Sequence, residues 1–168
     1  MIRHGQTDQL FNSNADIDKE RQLTEEGKLA SQKVGEYLRA FGISAIYSSP
    51  LSRTLQTAEI IKASAEIPGD IILDDNLLEM YHGKGEYSER EANVRSFFKE
   101  LINRHAGKQL VLVSHMDPME AYVEGMGFSA EDLDSPCLMS QGYRLVFAGD
   151  KPVECLKIDP SGFPKASR

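Results

Sequence analysis

Cysteine is scarce: the 168 residues hold two, Cys137 and Cys155, too far apart for a CxxC pair and too few for a disulfide framework. Both read as small hydrophobes, and the expected address is a reducing cytoplasm. Long apolar runs are missing too. The longest strongly apolar stretch, Leu110 to Val113, is far short of the ~20 residues a membrane-spanning helix needs. Arg3 and His4 follow Met1-Ile2 directly, so no signal peptide is expected. Basic charge is in deficit: 19 Lys and Arg stand against 26 Asp and Glu, a net of −7. That balance argues against nucleic acid as a partner, since a binder needs a basic face to displace counterions from phosphates. It leaves room for a small anion, because a local cluster of arginines can dominate the field in a cleft. Oligomeric state is not readable from the sequence.

The remaining composition, 40% hydrophobic and 27% charged, is that of an ordinary globular chain. Its length fits one domain, read as residues 1–158, with 159–168 (Pro160, Gly162, Pro164) as a loose tail. Ser44 to Tyr47, Ile71 to Leu73 and Leu110 to Val113 are short apolar runs of the kind buried parallel strands produce, and Met1-Ile2 is the stub of another. Tyr143 to Phe147 and Val153 to Ile158 flank Gly149-Asp150, a hairpin signal. Between the runs lie helical stripes. Ala30, Val34, Tyr37, Leu38 and Phe41 follow Thr24 as N-cap and stop at Gly42. Leu51, Leu55, Ala58 and Ala65 begin at Pro50, a favoured first-turn residue, and Val94, Phe97, Phe98 and Leu101 form a third stripe. Strands alternating with helices predict an α/β domain: a three-layer sandwich with a mostly parallel central sheet flanked by helices.

Ligands in such sheets bind beyond the carboxyl ends of the strands, near helix N-termini. The residues found there are Arg3-His4-Gly5-Gln6-Thr7, Ser48-Ser49-Pro50-Leu51-Ser52-Arg53, Asn76-Leu77-Leu78-Glu79 and Ser114-His115-Met116-Asp117. Each alone has an ordinary reading. Arg-His-Gly suits a surface turn, His115 a hydrogen-bonded core histidine, Arg53 a solvated first-turn cation, and Glu79 is one carboxylate among many. His82 reads as a pocket-rim residue, His105 as the cap of the third helix, and Glu86, Glu89 and Glu91 as a solvated helix start. A metal site from His4, His115 and Asp117 lacks HxH or HxxxH spacing.

Taken together, these segments resemble the histidine phosphatase superfamily, the phosphoglycerate mutase-like proteins. Arg3-His4-Gly5-Gln6-Thr7, the Leu23-Thr24-Glu25-Glu26-Gly27 helix start, Tyr47 to Ala58 around Arg53, Leu77-Leu78-Glu79-Met80-Tyr81-His82-Gly83, and Val113-Ser114-His115 follow that family's motifs in order. The resemblance implies a phosphoric monoester hydrolase of the histidine acid phosphatase type, acting on a small phosphorylated substrate with no cofactor and no metal. His4 would attack phosphorus to give a phosphohistidine. Arg3, Arg53 and a charged His115 would hold the phosphoryl oxygens, with Gly5, Thr7 and Met116 lining the phosphate site. Glu79 would protonate the leaving oxygen and then activate water, which needs a raised carboxyl pKa.

Three positions depart from the family pattern. Only two residues precede Arg3, so the first strand is either short or trimmed. Leu10 stands where the family often has Asn, with Asn12 and Asn14 nearby. Met116-Asp117-Pro118-Met119 replaces small residues after the second histidine. Mutases of the family carry a sizeable insertion before that histidine, whereas Asp74 to Glu89 offers only a minimal cap open to water. Hydrolysis of the phosphoenzyme is therefore the expected outcome. The alternatives are a mutase-type phosphotransferase, a phosphohistidine or phosphoprotein phosphatase, and a non-catalytic phospho-ligand module. Members acting on phosphohistidine often lack the acid, so Glu79 points to esters.

Overall fold

The computed structural model describes residues 1–9, 14–80, 82, 86–129, 133 and 136–162. Four short parallel strands form one side of the sheet: β1 (Ile2–Arg3), β2 (Ala45–Ser48), β3 (Ile72–Leu73) and β4 (Leu110–Ser114). A hairpin, β5 (Gly142–Ala148) and β6 (Lys151–Ile158), completes it with β5 antiparallel to β1. The order is β3-β2-β4-β1-β5-β6, so the two-residue β1 lies near the centre. Around the sheet run α1 (Ala15–Lys19), α2 (Glu25–Leu38), α3 (Ser52–Ala65), α4 (Tyr87–Arg104) and α5 (Met116–Gly125).

Side-chain alternation along the strands makes the sandwich. Ile46, Val111 and Val113 point to one face and pack with Val34 and Leu38 of α2 and Ala58, Ile61 and Ala65 of α3. Tyr47 and Leu112 point to the other, against Val94, Phe97, Phe98 and Leu101 of α4 and Tyr122 of α5. This is the three-layer α/β arrangement that the periodicity predicts.

Local signals explain the helix ends. Thr24 caps α2, its hydroxyl accepting from the Gly27 amide at 3.0 Å. After α2 the chain tightens into a short 3₁₀ turn and ends at Gly42 with φ 61°, a conformation glycine adopts without a Cβ clash. His105 is the C-cap of α4, and its Nε2 bonds the Tyr47 hydroxyl at 2.8 Å.

Three expectations need correction. The Ile71-to-Leu73 run is not buried: β3 is an edge strand, with Ile72 41% and Leu73 52% exposed. Helix α3 starts at Ser52, with Leu51 as N-cap and Pro50 before it, because the chain leaving β2 is still extended there. Residues 159–162 are not loose. Asp159 accepts from the Gln141 amide at 2.9 Å, and Pro160 is buried. Residues 163–168, Leu10, Asn12, Tyr81 and Gly83 lie outside the described residues, as does part of the expected cap. No helix among the described residues is long and apolar enough to cross a membrane.

A cavity of about 530 Å³ opens between β4 and β5, bordered by Met1, Leu110, Val111, Arg144 and Leu145. It lies at the amino ends of the parallel strands, and its lining does not include His4, Arg53, Glu79 or His115.

Candidate active site

The carboxyl ends of β1, β2 and β4 deliver His4, Ser49 and His115 to one place. His4 continues the β1 path, its amide donating to the Ser114 carbonyl at 3.0 Å. Its ring is buried, and Nδ1 lies 2.8 Å from the Gly5 carbonyl. A carbonyl only accepts, so Nδ1 carries the proton and Nε2 keeps its lone pair. Burial, followed by the charges of Arg53, Arg3 and Arg21, pushes the His4 pKa down to about 3. The ring is therefore neutral at physiological pH and held in one orientation.

His115 stands beside it, ring centroids 5.3 Å apart. Its Nε2 lies 3.0 Å from the Ser49 hydroxyl, and its buried Nδ1 has no hydrogen-bond partner among the described residues. Complete burial, with His4, Arg53, His82 and Arg21 around it, holds its pKa well below the ordinary histidine value, so the ligand-free ring is neutral.

Arg53 projects from the first turn of α3 and is fully buried. Its Nη2 donates to Glu79 Oε2 at 2.6 Å and pairs with Asp18 Oδ2 at 3.2 Å, while Nη1 donates to the Asp18 carbonyl at 2.8 Å. Glu79 is 14% exposed, and its Oε2 is 4.0 Å from His115 Nδ1. Burial raises the Glu79 pKa; Arg53 opposes this, and Asp117 and Asp18 add to it. The expected raised carboxyl pKa is thus present, with desolvation as its main cause.

Arg3 donates through Nη1 to the Cys137 carbonyl at 2.7 Å and touches the Met116 sulfur at 3.5 Å. The buried Nε atoms of Arg3 and Arg53 have no hydrogen-bond partner among the described residues. Gly5 uses its amide on Thr57 Oγ1 at 2.9 Å, and Thr7 bonds the Gln9 carbonyl at 2.8 Å. These two expected phosphate-site residues therefore build the loop that follows β1.

Three residues that surround the site were not singled out as functional. Asp18 of α1 is completely buried, accepting from His82 Nε2 at 2.7 Å and pairing with Arg21 Nε at 2.8 Å. Arg21 Nη1 reaches the Thr7 hydroxyl at 3.4 Å. His82 is no rim residue: its side chain is 4% exposed. Asp18 and Arg21 sit in a run of mixed charge with no apolar stripe, which reads as solvated surface. Only their spacing of three, which matches one helix face, hints at a pair.

Asp18, Glu79 and His82 bring ligand atoms within 4.8 Å of one another, the one such group among the described residues. Arg53 Nη2 already compensates both carboxylates, and Arg21 pairs with Asp18. A metal cation would meet two guanidinium groups there, so the donor set fits one poorly.

Residues 1–93 match the family model of the histidine phosphatase superfamily (branch 1). The chain is 34% identical over 154 residues to the probable phosphoglycerate mutase GpmB of Citrobacter koseri, covering 86% of this chain and 69% of that protein. It is 36% identical over 151 residues to the GpmB of Salmonella arizonae, with the same coverage. Among solved structures, the protein histidine phosphatase SixA complexed with tungstate superposes with a TM-score of 0.74 at 18% identity, over 95% of both chains. A phosphoserine phosphatase variant from Entamoeba histolytica in complex with phosphoserine gives 0.66 at 16% identity, over 90% of this chain and 91% of that one. At such identities the superpositions speak for the fold. The family match covers more than half of the polypeptide and contains His4, Arg53 and Glu79, so the chain belongs to the histidine phosphatase superfamily.

Proposed function

We propose that the protein is a metal-independent phosphatase that hydrolyses phosphomonoesters through a phosphohistidine on His4. The observation that carries this reading is the His4 tautomer: a neutral ring with Nε2 free, beside the buried Nε donor of Arg53 and the buried Nδ1 of His115, neither of which has a hydrogen-bond partner among the described residues. Unpaired buried donors are costly unless something accepts from them, and phosphoryl oxygens do so.

In the first step His4 Nε2 bonds to phosphorus as the ester P–O bond breaks, and Glu79 gives its proton to the departing oxygen. In the second, the Glu79 carboxylate takes a proton from water as the water oxygen bonds to phosphorus and the P–N bond breaks. His4 returns neutral and Glu79 protonated. A phosphate dianion in the site favours the charged form of His115, so this ring gains its positive charge with the substrate. The presence of Glu79 favours esters over phosphohistidine, whose nitrogen leaves without an acid.

Rapid-quench experiments with ³²P-labelled substrate in EDTA test the reading. An acid-labile, base-stable phosphoenzyme that vanishes in His4→Ala supports it; label on serine, or no turnover without metal, sinks it. The GpmB relatives motivate one competitor, a mutase. Isomerisation of 3-phosphoglycerate faster than its hydrolysis would favour that alternative.

A further inference from the structure

We propose that Asp18 is a positioning residue for this site: its carboxylate aligns Arg53, Arg21 and His82, and it sets the electrostatic surroundings of the neighbouring Glu79. The inference rests on the phosphatase reading and adds a second, non-reacting carboxylate to it.

Asp18 is wholly enclosed, and its contacts come from three separate segments. Arg21 Nε reaches Oδ1 at 2.8 Å and Arg21 Nη2 reaches Oδ2 at 3.3 Å. His82 Nε2 reaches Oδ2 at 2.7 Å and Arg53 Nη2 at 3.2 Å, while the Asp18 carbonyl accepts Arg53 Nη1. Arg53 is thus held at both terminal nitrogens by one residue, which sets the plane of its guanidinium and leaves Nε for an incoming oxygen.

The two carboxyl groups are not equivalent. Asp18 has two arginines and a histidine on its oxygens, which favours its ionised form. Glu79 shares Arg53 Nη2 and lies near His82, at 3.9 Å, and His115, at 4.0 Å. The charges facing Glu79 are Arg53 from α3, Arg21 and Asp18 from the α1 segment, Asp117 from α5, His82 and His115. Arg53 and Arg21 pull its proton off; Asp18 and Asp117 hold it on. The ligand atoms of the two acids lie within 4.8 Å of each other in unlike surroundings, and the nearness of Asp18 is one of the influences that raise the Glu79 pKa.

The experiment compares Asp18→Asn with wild type, following kcat/KM against pH on an alkyl and an aryl phosphate. Loss of the Asp18 charge lets Glu79 ionise earlier. The alkaline limb of the alkyl profile should move down by about one pH unit or more, while the aryl profile keeps its position because its leaving group needs no proton. A uniform fall on both substrates with unmoved limbs overturns the proposal and leaves Asp18 a structural residue. Infrared difference spectroscopy of wild type and Glu79→Gln provides a second arm if Asp18→Asn does not fold. One protonated-carboxyl band that disappears in Glu79→Gln supports the assignment. A band that survives puts the proton on another carboxyl group and overturns it. Absence of turnover by wild type sinks the phosphatase reading itself; the Glu79 band compared between wild type and Asp18→Asn still judges Asp18, an unchanged band overturning the proposal.

Discussion

Arg53 Nη2 and Glu79 Oε2 lie 2.6 Å apart, so the group that would grip the phosphoryl oxygens and the group that would protonate the leaving oxygen share a hydrogen bond in the ligand-free site. The bond ties α3 to the segment after β3. It also makes Arg53 hard to replace, since one planar fork serves Asp18 and Glu79 at once. Arg53→Lys keeps the charge but cannot hold that geometry from a single nitrogen. We expect kcat/KM to fall by roughly 100-fold or more, with weaker vanadate inhibition. Loss below tenfold would show that the fork is dispensable.

Glu79→Gln preserves the shape and removes the transferable proton. An alkyl phosphate, with its poor leaving group, should lose about 10²–10⁴-fold in kcat, the range for general acid catalysis. An aryl phosphate should lose less than about tenfold, because a phenolate departs without protonation. Equal losses on the two substrates, measured side by side, would remove the acid role from Glu79.

Gly27 holds the start of α2 against the loop after β1. A Cβ at this position would strike the backbone of Gln6, two residues beyond His4. Gly27→Ala must therefore displace either the helix or the loop that carries His4. Overpacking of this kind costs about 1–3 kcal/mol, and a small shift of a catalytic group is felt strongly in rate. The variant should melt earlier and lose kcat more than its stability loss explains; normal kcat in the folded fraction would contradict the link between this motif and the site.

Residues governed by local rules were legible in the sequence. Thr24 and Gly42 announce the ends of the second helical segment, and strand-end positions nominate His4, Arg53 and His115 without any knowledge of distance. What escaped depends on tertiary context. Ile71 to Leu73 is as apolar as β4, yet its exposure follows from being the last strand of the sheet, and strand order is not written in a three-residue run. Asp18 and Arg21 lie in a polar segment whose burial comes from Arg53 and His82, 35 and 64 residues away. Thr7 matched the motif by position, but its hydroxyl is spent on the loop. The ligand-free state of His115 was hidden for a related reason: residue type gives an ordinary pKa near 6.5, and only complete burial beside His4, Arg53, His82 and Arg21 lowers it.

That burial has a consequence for stability. His4 titrates at about 3 in the folded protein, and His115 is also lowered; both return to about 6.5 on unfolding. Between those values the unfolded chain binds more protons, so their contribution is complete above pH 6.5 and is lost as the pH falls toward 3. Glu79 runs the other way: its raised folded pKa makes the folded state the better proton binder above the ordinary carboxyl range, which offsets part of the loss. From pH 6.5 to 5.0 His4 should cost about 2 kcal/mol, and His115 adds a loss of the same sign. Urea unfolding at pH 7.0 and 5.0 measures the sum, and His4→Gln isolates one term, because the amide can still donate to the Gly5 carbonyl but takes up no proton. The variant should lose about 2 kcal/mol less than wild type on acidification. Equal losses in the two proteins would mean that His4 is already solvated enough to titrate normally, and a solvated ring at that position would not be the oriented, neutral nucleophile that the proposed mechanism needs.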